Sequence, residues 1–170
     1  MSIPPTFQEA IAKSAEWIRL WDAGELSDEV LADEVGKLVC DRDGARGFFV
    51  VSLTGASPLM DRLPEPLVLR LRMIGSDVVD LTVRNLAMSS AMAVHHRRQQ
   101  DQSMLEGSLK VQSRSRDLLA QLDPVLVKEK LERLLAGLKG DNEEKAFFER
   151  WGYDEEQRNS IELALLSVAD

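Results

Sequence analysis

The sequence predicts an all-α fold: a compact bundle of about eight helices around one long central helix, residues 76–100, with a minor two-stranded element within 45–73 as the alternative for that stretch. Three observations carry this prediction. Helix-capping pairs recur along the chain, Thr6/Glu9 and Asp123-Pro124 being the clearest. Apolar residues recur at spacings of three and four. A stretch without Pro or Gly runs from Ser76 to Gln100 and is apolar almost all round between Leu86 and Val94, as a buried central helix would be.

The first helix opens at the Thr6/Glu9 capping box. It places Phe7, Ile11, Ala15, Ile18 and Trp21 near one face and ends at Gly24. Ser27-Asp28-Glu29 opens a second, with Val30, Leu31, Val35, Leu38 and Val39 as its stripe. Residues 45–54 read as a helix capped by Asp43 and closed by Gly55, but Phe48-Phe49-Val50-Val51 suits a strand as well. The alternation through Leu67, Leu69, Leu71 and Met73 also has strand character, whereas Pro64, Pro66 and Gly75 suit helix ends. Helices are preferred for both, because an isolated two-stranded ribbon is marginal in water.

After the long helix, Ser103/Glu106 has capping-box spacing. The mostly polar helix to Leu122 has Leu105, Leu109, Leu118, Leu119 and Leu122 as its contacts. Asp123-Pro124 starts the next, where Val127, Leu131, Leu134, Leu135 and Leu138 recur before Gly140. Asp141 to Trp151 reads as a short helix with Ala146, Phe147 and Trp151 inward. Asp154 caps the last, with Ile161, Leu165 and Val168 broadened by Leu163, Ala164 and Leu166. No linker or repeat divides the chain, so one helical domain over 1–170 is expected.

Composition excludes several functions. A single Cys among 170 residues leaves no disulfide framework and no Cys-based zinc site. The net charge of −8 opposes general affinity for nucleic acid or an anionic membrane. The N-terminal residues lack the basic and apolar regions of a secretory signal, and no apolar run approaches a membrane span. A cytoplasmic protein without a cofactor is the expectation.

The charge is unevenly spread. Residues 1–40 and 123–170 each carry −5, and residues 41–122 carry +2. His95-His96-Arg97-Arg98 is the densest basic cluster. Its first account is electrostatic, since cations at a helix C-terminus complement the macrodipole. Asp41-Arg42-Asp43-Gly44-Ala45-Arg46-Gly47 is the most loop-like charged stretch, and matches neither a P-loop nor a dinucleotide fingerprint. Candidate binding residues for an anion or a partner are therefore Arg42, Arg46, His95, His96, Arg97 and Arg98. No catalytic or metal-ligating residue is assigned. Cys40 sits at a helix C-terminus, which disfavours a thiolate. Asn85, inside the apolar helix, must face solvent or find hydrogen bonds.

The expected function is that of a non-enzymatic helical interaction or regulatory protein, working through an unidentified protein partner or self-association. Trp17, Trp21 and the Ile161–Val168 helix are its candidate contact surfaces. The alternative is a module binding a small anionic ligand or nucleic acid through the basic centre. A carboxylate-based enzyme ranks third.

Overall fold

The computed structural model describes residues 3–169. Among these residues there are nine α-helices, one 3-10 turn and no strand. The two-stranded element considered within 45–73 is thus replaced by helices. The alternation around Leu67–Met73 is accommodated because only Leu67 and Leu71, one turn apart, are buried, while Leu69 and Met73 face solvent. The chain divides into two compact units, Met1–Val78 and Val79–Asp170.

The first unit holds α1 (Phe7–Asp22), α2 (Asp28–Val39), α3 (Arg42–Thr54), the 3-10 turn Leu59–Asp61 and α4 (Glu65–Ile74). The α1 capping box forms as expected: Glu9 N donates to Thr6 Oγ1 and Thr6 N to Glu9 Oε1, both at 3.1 Å. The buried face of α1 is Ala10, Ser14 and Ile18, rotated from the expected stripe, so Ala15 is exposed. The reason is tertiary. A Cβ built on Gly47 of α3 would lie 2.5 Å from the Cβ of Ala10, so the two helices approach at their smallest side chains. Helix α3 is capped by Asp41, not Asp43, and the stretch expected to be a loop is its first turns. On α2, Leu31, Val35, Leu38 and Val39 are buried as expected, but Val30 is 45% exposed.

The second unit holds most of α5 (Ser76–Arg98), then α6 (Gln102–Leu119), α7 (Pro124–Leu138), α8 (Lys145–Trp151) and α9 (Glu155–Ala169). Within it α5 is touched from several sides. Gln112 of α6 donates to Ser90 Oγ (2.9 Å), Gln157 of α9 donates to the Ala91 carbonyl (3.2 Å), and Arg84 lies over the Phe147 ring of α8 (5.1 Å). Helix α5 stops at Arg98 because Gln100 takes a left-handed φ of 56°. Asp101 N then donates to His96 O and Gln100 N to Arg97 O, a Schellman closure with glutamine where glycine is usual. Asp101, rather than Ser103, caps α6 through Met104 N (3.2 Å). Asp123 and Pro124 start α7 as expected. In α8, Phe148 is buried, whereas Ala146 and Trp151 are exposed. Seven residues hold too few turns for periodicity to choose between adjacent aromatics.

Among the described residues no helix is long and apolar enough to cross a membrane.

Candidate functional site: the basic end of the long helix

Arg42 and Arg46 lie one turn apart on α3, in the first unit. Arg42 is exposed. Arg46 is engaged locally, donating to Asp43 Oδ1 (3.3 Å) and covering the Phe7 ring at 4.9 Å. That pairing follows from helical i,i+3 spacing and leaves Arg46 a surface residue with a neighbour for its charge.

His95, His96, Arg97 and Arg98 form the last turn of α5, and successive residues point about 100° apart. The four consequently meet different surroundings. His95 and Arg97 are exposed. His96 is 8% exposed, with its ring edge-on to that of His95 at 5.3 Å between centroids. Arg98 turns toward the N-terminus of α9 and makes a two-pronged pair with Asp154 (2.5 and 3.1 Å) and a contact with Glu156 (3.3 Å).

The Arg98 pair is built into a helix cap. Asp154 Oδ1 accepts from Gln157 N (3.0 Å), and Gln157 Oε1 accepts from Asp154 N (3.1 Å). The same Gln157 side chain donates to α5 at Ala91 O. Starting α9 and fastening it to α5 therefore use the same groups. The Arg98 hydrogen bonds, with help from Gln157 N, bring the Asp154 carboxyl down to about 2. The Arg98 guanidinium is raised in turn, chiefly by its bond to Asp154.

A second polar cluster surrounds Arg84, beside Asn85, and its partner Glu144 lies 60 residues away in the chain. Arg84 donates to Asp80 (3.0 Å) and to Glu144 (2.6 Å), and Arg133 of α7 meets both Glu143 and Glu144. Asn142 ties the loop to α7, its amide donating to Arg133 O and its oxygen accepting from Glu144 N, each at 2.9 Å. Burial pushes Glu144 up, but the bonds from Arg84 and Arg133 outweigh it and leave the carboxyl below its ordinary value. Both arginine charges are matched by carboxylates, so the cluster is a brace between α5, α7 and the start of α8. The signal available beforehand was Arg84 itself, a charge in an apolar helix that needs a partner. Asn85 beside it is half-buried. The Tyr153 hydroxyl, next to the α9 cap, is pushed up to about 12 by burial. Cys40 is exposed, its thiol donating to Gly36 O at 3.1 Å.

Between α5 and α6, a cleft of about 250 Å³ is lined by His96, Arg97, Gln100, Asp101, Gln102 and Leu105. Two of the six candidate residues, His96 and Arg97, meet there. Among the described residues no group of three or more His, Cys, Asp or Glu side chains is placed to hold a metal ion.

Fold and site together define an all-helical protein in which Arg84, Arg98 and Arg133 join helices. The chain belongs to the family described as uncharacterised conserved protein UCP020893, whose model matches residues 6–168. No curated protein and no solved structure matches it.

Proposed function

We propose that this protein is a non-enzymatic helical interaction protein of the cytoplasm, acting through contacts with another protein. The observation that supports this reading best is the outer face of α9. Ile161, Ala164 and Leu165 are buried on one side of that helix. On the other, Leu163 is 70% and Leu166 41% exposed, one turn apart. A single exposed leucine is ordinary, whereas two at i and i+3 have the spacing of the anchors by which helix faces are recognised. Glu155 and Asn159 extend the same face, with Glu156 and Glu162 at its margins. Two copies meeting there would bring like charges together, so a partner with basic residues around an apolar contact fits better than a second copy.

Of the aromatic residues considered as contacts, Trp21 is half-buried and donates its indole N–H to Asp28 (2.7 Å), which joins α1 to α2. Trp17 is half-buried as well.

The test is photo-crosslinking from position 159 on the same face, in source cells, paired with the mass in solution. A defined heterologous adduct that disappears in Leu163→Asp/Leu166→Asp is the expected result. A monomer that forms the same adducts with and without those changes would sink the proposal.

A further inference from the structure

We propose that the corner between α5 and α6 is a binding site for a small hydroxylated molecule carrying an oxyanion, phosphate or carboxylate. The anchor is Arg97. Its neighbour Arg98 is occupied by Asp154 and Glu156, whereas Arg97 is exposed and makes no ion pair among the described residues. Arg97 lines the cleft, and a guanidinium offers the fork of donors that suits an oxyanion.

The other groups of the cleft add to this rather than repeat it. The His96 ring makes no hydrogen bond among the described residues although the residue is 8% exposed. Neutral imidazole still carries one N–H, so it supplies a second donor beside Arg97. Gln100 also lines the cleft, and holds its left-handed backbone where glycine is the cheaper residue. The acidic member, Asp101, already accepts from Met104 N, which lessens its repulsion of an anion and fills the α6 N-terminus. Its second oxygen remains an acceptor. Gln102 donates one amide hydrogen to Glu106 (3.1 Å), and its side-chain carbonyl oxygen is a further acceptor. Donors for an anionic end thus stand beside acceptors for hydroxyl hydrogens. The volume lies below that of drug-sized pockets and suits a compact molecule.

The experiment is a two-dimensional ¹H–¹⁵N NMR titration of the whole chain with glycerol 3-phosphate, inorganic phosphate and glycerol. Glycerol 3-phosphate is expected to give saturable shifts centred on residues 96–105, to bind more tightly than phosphate, and glycerol alone to give none. In Arg97→Gln the affinity should fall about tenfold or more. Arg72→Gln, which removes another exposed charge, on α4, should titrate like the parent. Each variant's amide spectrum reports directly that it is folded. Absence of saturable shifts, equal binding by Arg97→Gln, an equal loss in Arg72→Gln, or phosphate binding as tightly as its glycerol ester would each overturn the assignment.

Discussion

In the first unit the helices meet where there is least side chain. A Cβ on Gly47 would stand 2.5 Å from that of Ala10, and one on Gly44 would stand 2.0 Å from the carbonyl oxygen of Leu38. The second unit has one such approach, Gly137, whose built Cβ would stand 2.4 Å from that of Glu144, and adds joins made by long polar side chains: Arg84 and Arg133 to Glu144, Arg98 to Asp154, Gln157 to Ala91 O. The contrast teaches that two helical assemblies in one chain can fail by different routes. Added volume damages the first, because rigid backbone cannot move aside. Lost charge damages the second, because removing one partner leaves the other half-satisfied.

The sharpest way to break this comparison is Gly47→Val. The Ala10 main chain lies 3.1 Å from even a built Cβ, so α1 and α3 must part. A loss of about 3 kcal/mol is expected, outweighing any gain in helix propensity. Gly36→Ala is the control. There the close atoms belong to the Arg70 guanidinium, 2.6 Å away, which can swing aside, so denaturant midpoints should scarcely change. Equal losses for the two would remove backbone contact as the cause.

Glu144→Ala comes next. Its carboxylate is 13% exposed and joins Arg84 to Arg133, so truncation leaves two guanidiniums short of a partner. About 1–3 kcal/mol should be lost in urea unfolding. A double-mutant cycle with Arg133→Ala should show coupling. Additive losses would mean the brace is not one unit.

The smallest effect is the acid response of the α9 cap. Asp154 is held at about 2, below the value of a free Asp carboxyl. A depressed folded value means the stabilisation is complete above about pH 4 and is lost as pH falls toward 2. Hydrogen exchange of α9 amides should quicken over that window in the parent. In Asp154→Asn they should already be faster at neutral pH and lack this step. The same acid dependence in both proteins would place the titration elsewhere.

Much of the fold was legible because helix ends are local. Thr6 with Glu9, Asp123 with Pro124, and Asp154 lie within a turn of the groups they satisfy. Where two residues of the right chemistry stood close together the choice was not local. Asp41 caps α3 instead of Asp43, in a turn shaped by the Gly44–Leu38 approach, and Asp101 displaces Ser103 after the Gln100 closure. The buried Ser14 has no apolar signature, and its face is explained only by Gly47, 33 positions on. For the site, the basic cluster was legible as composition, but its division was not. Nothing within a turn of Arg98 announces Asp154, 56 residues away.

The amino-acid sequence by itself determined that the chain is helical and roughly where each helix begins and stops. Those outcomes depend on backbone hydrogen bonds and caps that close over three or four residues. Only the tertiary structure decided which face of α1 and of α8 is buried, and which of two neighbouring arginines is neutralised and which lines a cleft. Side chains one residue apart on a helix leave in different directions, and what each one meets is set by segments distant in the chain.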